Sequence, residues 1–186
     1  MTDMVARLAQ IRVLPLIQAD SITKALQSVE KLVSDGKTIV EVVLRTESAL
    51  SCIDVIEQHY PQVSVGAGTV LNKRQAIQAT EAGAQFLVSP GFDTGVYEHA
   101  KQAGIDYFPG CATATEVLNA RNLGVRTLKF FPAIASGGVP MLEALGAVFS
   151  DVQFIPTGGI NVSNLEEFLA LPNVLACGGS WLTTSK

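Results

Sequence analysis

The chain alternates between short apolar runs and longer segments in which polar and apolar residues recur with helical spacing. One helical face is marked by Ile22, Leu26, Val29 and Val33. The apolar runs that have the length of strands are Val13–Ile17, Thr38–Leu44, Val63–Val65, Gln85–Val88, Asp106–Phe108, Thr127–Phe131, Val152–Ile155 and Val174–Cys177. The pattern predicts eight strands separated by seven helices.

Residues at the ends of these segments are typical of helix boundaries. Segments 113–116 and 163–166 have the Thr/Ser-x-x-Glu form of a capping box, and Asn72 is expected to be an N-cap. Glycines stand where four helices should end before the next strand, at Gly36, Gly83, Gly104 and Gly124. The alternation is therefore supported by capping signals as well as by hydropathy.

Strands that are apolar on both faces belong to a parallel sheet covered by helices. The alternatives are a closed (β/α)8 barrel and a doubly wound open sheet. Eight units favour the barrel, and no Gly-x-Gly-x-x-Gly motif follows the first strand. We predict an α/β protein with a single TIM-barrel domain over residues 1–186. We expect the last helix to be missing, because the chain stops soon after the eighth strand.

Composition narrows the function. The chain has 186 residues, 48% of them hydrophobic, and a formal net charge of −4 with scattered basic residues, so we expect no nucleic-acid and no membrane partner. No secretory signal is visible in residues 1–7, and three distant cysteines (Cys52, Cys111 and Cys177) match no zinc or disulfide spacing, so we expect a cytoplasmic protein. His59 and His99 are isolated, so we expect no metal site and no cofactor.

Three charged residues fall on the inward positions of predicted strands. In the second strand Glu41 and Arg45 alternate with an apolar triplet, which predicts that both charged side chains face the barrel interior. In the sixth strand Lys129 alternates with Leu128 and Phe130 and is expected to face the interior too. Active sites of barrels lie at the carboxyl ends of the strands.

Glu41 and Lys129 are on even-numbered strands, which fill common layers, so we expect them to meet across the interior. One interpretation is a structural ion pair in the core. The other is an imine-forming lysine, because desolvation and a nearby cation such as Arg45 favour the neutral amine, although Glu41 opposes this. Spacing alone leaves both interpretations open.

Glycine clusters follow three strands. Thr157-Gly158-Gly159 and Gly178-Gly179-Ser180 follow the seventh and eighth, where barrels hold phosphate with backbone N–H groups and a helix N-terminus. The alternative is an ordinary tight turn. For segment 66–69, Gly-Ala-Gly-Thr, the alternatives are close packing and, for Thr69, a helix N-cap.

Six segments occur in one order along the chain: Glu41-Val-Val-Leu-Arg45-Thr46-Glu47, Gly66-Ala-Gly68-Thr69-Val70-Leu71, Ser89-Pro90-Gly91, Lys129-Phe-Phe131-Pro132-Ala133, Pro156-Thr157-Gly158-Gly159-Ile160 and Gly178-Gly179-Ser180-Trp181-Leu182. Together they resemble the 2-keto-3-deoxy-6-phosphogluconate (KDPG) aldolases, a family that includes 4-hydroxy-2-oxoglutarate (KHG) aldolase activity. The resemblance implies a homotrimeric class I aldolase of the Entner–Doudoroff pathway that forms pyruvate and glyceraldehyde 3-phosphate.

The resemblance also implies a role for individual residues. Lys129 would form the Schiff base, and Glu41 would be the general acid and base. Arg45 and Thr69 would hold the pyruvate carboxylate, and Phe131 would lie beside the imine. The residues expected to hold the distal hydroxyl and phosphate are Thr157, Gly158, Gly159, Gly179 and Ser180.

Segment 109–116 resembles the related phosphogalactonate aldolases more closely, which leaves that substrate as an alternative. Another phosphate-binding barrel enzyme and a non-catalytic barrel that binds a phosphorylated metabolite are further alternatives. Neither of these needs an imine-forming lysine, so covalent trapping with pyruvate separates them from an aldolase.

Overall fold

Helices and strands alternate through residues 2–183, the part of the chain that this computed structural model describes. The helices are α1 (Asp3–Ile11), α2 (Ile22–Ser34), α3 (Ala49–His59), α4 (Lys73–Glu81), α5 (Thr94–Ala103), α6 (Ala114–Asn122), α7 (Gly138–Val148) and α8 (Leu165–Leu169). The strands are β1 (Val13–Ile17), β2 (Ile39–Val43), β3 (Ser64–Gly68), β4 (Phe86–Val88), β5 (Asp106–Phe108), β6 (Gly110–Cys111), β7 (Thr127–Phe130), β8 (Gln153–Pro156) and β9 (Cys177–Gly179). Helices α2 to α8 are the seven predicted ones, and α1 is additional.

The strands form two sheets. One has six strands in the order β5-β4-β3-β2-β1-β9, and the other has three in the order β6-β7-β8. Neighbours from β1 to β4 and from β6 to β8 run parallel. The α/β class with parallel strands is therefore as the sequence predicted.

The prediction of a closed (β/α)8 barrel is wrong, because the strands of residues 2–183 form two separate sheets instead of one ring. The predicted fifth strand, Asp106–Phe108, is β5. After Pro109, which has no N–H to donate, the chain continues as an additional short strand, β6, which belongs to the other sheet. Between β8 and β9 the described chain forms isolated bridges, Phe154 to Val174 and Thr157 to Gly178, instead of a continuous ladder. Residues 180–183 form turns, and the predicted absence of a last helix concerns residues outside the described part.

The chain divides into two compact units. The first unit comprises residues 2–14, 90–92 and 108–179 and holds α1, α6 to α8 and β6 to β9. The second unit comprises residues 15–89, 93–107 and 180–183 and holds α2 to α5, β2 to β4 and most of β1 and β5.

Helix ends follow the sequence signals closely. Asn72 Oδ1 accepts a hydrogen bond from Gln75 N at 3.0 Å, so Asn72 caps α4 as predicted. Thr113 and Glu116 form the predicted capping box of α6. The four glycines predicted at helix ends all have positive φ: Gly36, Gly83, Gly104 and Gly124. The predicted box at 163–166 is absent, because α8 begins later, with Asn164 as its N-cap.

Candidate active site

In the second unit, Glu41 is a buried residue in the middle of β2. The residue is only 1% exposed, and it pairs with Gly66 of β3 in the sheet. Val40 and Val42, which point to the opposite face, are fully buried. Glu41 is therefore buried, although not inside the closed barrel that was predicted, and a buried carboxyl of this kind carries a large desolvation cost.

Gly66 and Gly68 provide the space on β3 that two larger side chains occupy. A Cβ atom on Gly68 would lie 2.0 Å from Glu41 Oε1, and one on Gly66 would lie 2.3 Å from the ring of Phe86. Real Cβ atoms essentially never approach another atom closer than 3.0 Å. The carboxyl group of Glu41 thus extends beyond its Cα partner towards the carboxyl end of β3. Close packing is what these two glycines permit.

Arg45 and Thr69 lie just beyond the carboxyl ends of β2 and β3. Arg45 Nε donates a hydrogen bond to Thr69 Oγ1 at 3.3 Å. Arg45 is exposed, so the prediction that it shares the interior position of Glu41 is wrong: β2 ends at Val43, and Arg45 follows it. An accessible guanidinium beside a hydroxyl group is suited to binding a carboxylate.

Thr69 has a left-handed backbone conformation, with a φ of +60°, which is uncommon for a β-branched residue. The adjacent Val70 is held on both sides, since its N–H donates to Val88 O at 3.1 Å and its carbonyl accepts from Ser89 Oγ at 2.5 Å. Thr69 is not a helix N-cap, because Asn72 has that position in α4. Non-glycine residues in such conformations concentrate at functional sites.

In the first unit, Lys129 is a buried residue of β7, only 3% exposed. Its Cα partners are Gly110 on β6 and Ile155 on β8. Leu128 and Phe130, which point to the other face of the strand, are fully buried. The alternation predicted for this strand is confirmed.

Phe131 lies beside Lys129 in the same unit. The Nζ atom of Lys129 is 5.3 Å from the centroid of the Phe131 ring, within the distance at which a ring face attracts a cation. Phe131 is half-buried, and its N–H donates to Cys111 O at 3.0 Å. The ring therefore lies near the Lys129 amine, and its place beside an imine stays a prediction.

The glycine-rich ends of β8 and β9 lie together in the first unit. Thr157 forms an isolated parallel bridge with Gly178, and a Cβ atom on Gly178 would lie 2.3 Å from Thr157 Oγ1. Gly158 and Gly159 have φ values of +103° and +82°. The structure thus brings Thr157 next to the strand that ends at Gly179, whereas Gly158 lies against Pro132 and Gly159 against Ile134, both in the segment after β7.

Two features differ from the predicted phosphate site. Helix α8 begins only at Leu165, so no helix starts directly after Gly159. Ser180 is an exposed residue assigned to the second unit, and its carbonyl accepts a hydrogen bond from Thr183 N at 3.0 Å. The glycine turn, and not a helix N-terminus, is the feature that remains available to an anion.

The cysteines do not supply a nucleophile. Burial raises the pKa of Cys111 to about 12, with a smaller contribution from the charge of Glu116. Burial likewise raises the pKa of Cys177 to about 12 and raises that of Cys52. A thiol reacts as its thiolate, so all three are inert near neutral pH.

Within residues 2–183 no cluster of three or more His, Cys, Asp or Glu side chains is arranged to hold a metal ion. The same residues include no helix with the length and apolar character needed to cross a membrane. Glu41 belongs to the second unit and Lys129 to the first, so their meeting stays a prediction.

Sequence reasoning missed the contact between Glu41 and Gly68 and the support that Ser89 gives to the residue after Thr69. The contact between Glu41 and Gly68 could have been predicted from the sequence. Gly66 and Gly68 share one face of a strand that neighbours a strand with a buried carboxyl group, and glycine on a strand marks close approach. The role of Ser89 could not have been predicted, because a serine after a strand is common in turns.

The KDPG and KHG aldolase family matches residues 4–186. A 2-dehydro-3-deoxy-phosphogluconate aldolase of Treponema pallidum is 43% identical over 179 residues, which are 96% of this chain and 85% of that protein. A KHG/KDPG aldolase of Escherichia coli K12 is 44% identical over 91% of this chain and 80% of its own length.

A crystal structure of KDPG aldolase from Legionella pneumophila, with pyruvate captured as a covalent carbinolamine, matches with a TM-score of 0.93 and 39% identity. The match covers 97% of this chain and 87% of that one. A native KDPGal structure matches less well, with a TM-score of 0.83, 30% identity and 90% and 81% of the two chains covered. The resemblance seen in the six segments is confirmed over nearly the whole sequence. The chain belongs to the KDPG and KHG aldolase family, and it is an aldehyde-lyase of the class I type.

Proposed function

We propose that Lys129 is the amine through which this class I aldolase binds its substrate covalently. The observation that carries the assignment is a buried lysine on β7 whose Nζ lies 5.3 Å from the Phe131 ring centroid, in the first unit. The chain cleaves 2-keto-3-deoxy-6-phosphogluconate to pyruvate and glyceraldehyde 3-phosphate. As the second substrate of the family, 4-hydroxy-2-oxoglutarate would give pyruvate and glyoxylate.

The neutral amine of Lys129 attacks the C2 ketone, and loss of water gives an iminium ion. The positive nitrogen accepts the electron pair of the C3–C4 bond as that bond breaks, while a base removes the proton of the C4 hydroxyl. The aldehyde leaves, and an enamine of pyruvate stays on Lys129. Protonation at C3 and hydrolysis of the imine release pyruvate and restore the amine.

Glu41 is the group to which we assign these proton transfers, directly or through a water molecule. Its burial and its position over Gly68 support the assignment, because both restrict the carboxyl group to few conformations. Arg45 and Thr69 hold the carboxylate of the keto acid, the planar guanidinium of Arg45 providing paired donors. The residues assigned to the distal hydroxyl and phosphate are Thr157, Gly158, Gly159, Gly179 and Ser180.

The phosphogalactonate substrate suggested by segment 109–116 is the second candidate, and the weaker match to the KDPGal structure favours KDPG over it. The test is steady-state cleavage of the two phosphorylated keto acids and of 4-hydroxy-2-oxoglutarate, with pyruvate release coupled to lactate dehydrogenase. We expect the highest kcat/KM for the phosphogluconate substrate. Faster cleavage of the galactonate epimer would reverse the assignment of stereochemistry.

A control in the same assay separates the class I mechanism from a metal-dependent one. Activity should be unchanged after EDTA treatment, because the electron sink is an iminium ion on Lys129. Loss of activity with EDTA and recovery with a divalent cation would contradict the mechanism proposed here.

We also infer a homotrimer, which the resemblance implies, and a cytoplasmic location, which the cysteine pattern favours. The three buried thiols are all free, which suits a reducing compartment. Light scattering should give three times the chain mass of 19.7 kDa. A monomeric or dimeric mass would contradict the trimer without affecting the chemistry of Lys129.

A further inference from the structure

We propose that Gly68 is a positioning residue for the reaction, because its missing side chain leaves the space that the carboxyl group of Glu41 occupies. A Cβ atom on Gly68 would be 2.0 Å from Glu41 Oε1, 2.6 Å from Cδ and 2.7 Å from Cγ. The inference rests on the proton-transfer role proposed for Glu41.

The register explains why this glycine, and not its neighbour, faces the carboxyl group. Glu41 pairs with Gly66, and Gly68 is two residues further along β3, paired with Val43. The Glu41 side chain therefore extends diagonally towards the carboxyl end of the sheet, where parallel α/β proteins place their ligands. Gly66 meets the ring of Phe86 instead, so the two glycines of one strand face serve different side chains.

Neither partner of this contact is free to adjust at little cost. Glu41 is 1% exposed and Gly68 is a buried residue of β3. Ordinary van der Waals contact begins at 3.4 Å, so a methyl group at residue 68 would displace Oε1 by about 1.4 Å, the difference between 3.4 and 2.0 Å. A misplacement of about 1 Å at a catalytic group can cost about a hundredfold in rate.

The test compares imine formation with proton transfer in Gly68→Ala. Borohydride trapping of pyruvate should continue, because Lys129 is unchanged. Exchange of the pyruvate methyl protons with solvent, divided by the rate of trapping, should fall about a hundredfold. Gly66→Ala is the matched control, because it adds the same methyl group to the same strand but against Phe86. It should lower stability and leave the normalised exchange rate unchanged; an equal fall in both variants would overturn the inference.

A double-mutant cycle with Glu41→Asp tests whether Gly68 acts through Glu41. The shorter side chain withdraws the carboxyl group by about 1.5 Å, one carbon–carbon bond. Glu41→Asp will itself slow exchange. Gly68→Ala should then lower the exchange rate by a much smaller factor in the Glu41→Asp background than in the wild type. Effects that multiply to within about twofold, as for independent sites, would overturn the inference.

Three further variants keep the outcomes distinct. If Glu41→Gln retains full exchange, the role of Glu41 fails and the inference falls with it; if Glu41→Gln loses exchange while Gly68→Ala keeps it, only the positioning role fails.

If Gly68→Ala does not fold, Glu41→Ala removes the obstructing side chain, and Glu41→Ala/Gly68→Ala should unfold at the same urea concentration as Glu41→Ala. A double variant that also fails to fold overturns the inference.

Discussion

The two units hold different kinds of candidate site residues, and the glycines of each unit show the difference. On β3 of the second unit, Gly66 and Gly68 are strand residues whose missing side chains make room for Phe86 and Glu41. After β8 of the first unit, Gly158 and Gly159 have φ values of +103° and +82°, which shape a turn. The first pair is required by space and the second by backbone conformation.

The chemistry assigned to the two surfaces differs in the same way. The surface on β2 and β3 supplies a buried carboxyl group and an exposed guanidinium, suited to proton transfer and carboxylate binding. The surface on β7 and β8 supplies a buried amine and a glycine turn, suited to covalent chemistry and to a phosphate. Substitutions on one surface should therefore affect different steps from substitutions on the other.

The largest effect is expected for Lys129→Arg. A guanidinium stays protonated and cannot attack a ketone, so aldol cleavage should fall to the uncatalysed level, a loss of at least about a millionfold. The coupled pyruvate assay measures this. Because trapping and methyl exchange both require the imine, both should disappear together. Residual exchange above background would show that another lysine forms the imine.

Glu41→Gln should have the next largest effect, and on only one of the steps. Turnover and methyl proton exchange should fall in parallel by roughly a hundredfold to ten-thousandfold, the usual value of a placed acid or base. Borohydride trapping should slow, because dehydration of the carbinolamine also needs a proton donor, but it should survive. Rapid exchange in this variant would leave Glu41 with only the structural role of a charge partner.

Ser180→Asp should have a smaller and substrate-selective effect. A negative charge near a phosphate costs about 1 to 4 kcal/mol at 4 Å, and the exposure of Ser180 favours the low end, so KM for the phosphorylated substrate should rise about fivefold to tenfold. The comparison is with KM for unphosphorylated 4-hydroxy-2-oxoglutarate.

Arg45→Ala is the matched control for that selectivity. Arg45 is assigned to the carboxylate that both substrates share, so its loss should weaken the binding of both substrates by a similar factor. The factor should be about tenfold to a hundredfold, the effect of a lost charge-assisted hydrogen bond. Equal effects of Ser180→Asp on both substrates would mean that the loop after β9 is only structural.

The smallest effects concern the two predicted capping boxes, of which the structure contains one. Hydrogen bonds from the backbone N–H of Ala112, and then from Thr113, hold the pKa of Glu116 below its ordinary value of 4.5. The stability that Glu116 contributes should be present above that value and be lost as the pH falls through the lower pKa of the folded state. The free energy of unfolding, measured with urea, should be higher for the wild type than for Glu116→Gln at pH 7. This difference should shrink as the pH is lowered to 3.

Thr113→Ala and Ser163→Ala compare the capping box that forms, at α6, with the predicted one that does not, at α8. Loss of the Thr113 cap should cost about 1 kcal/mol in free energy of unfolding. Ser163→Ala should cost less, since α8 begins at Leu165 and Ser163 bonds only locally, to Asn161. Equal losses would contradict the assignment of the helix starts.

Local signals in the sequence predicted elements and their ends better than they predicted assembly. Strands β1 and β5 have the predicted bounds, and the alternation around Glu41 and Lys129 is as expected, because side-chain periodicity in a strand is a local property. The buried face of α2 was displaced: Ala25 and Val29 are fully buried while Ile22 is exposed, since packing and not hydropathy sets the face.

Properties that depend on distant residues were the ones missed. The closed ring was a wrong prediction because the chain enters a different sheet after Pro109, as β6, although that proline was visible in the sequence. The exposure of Arg45 depends on where β2 ends, and the role of Gly68 depends on the register between β2 and β3. Neither is encoded in the spacing of one segment.

The most direct test of the central claim is to trap the enzyme with pyruvate and sodium borohydride and map the adduct by mass spectrometry of peptides. The account predicts one reduced pyruvate adduct per chain, on the peptide that contains Lys129, and none in Lys129→Arg. An adduct on Lys73 or Lys101, or the absence of any adduct in an active preparation, would contradict it.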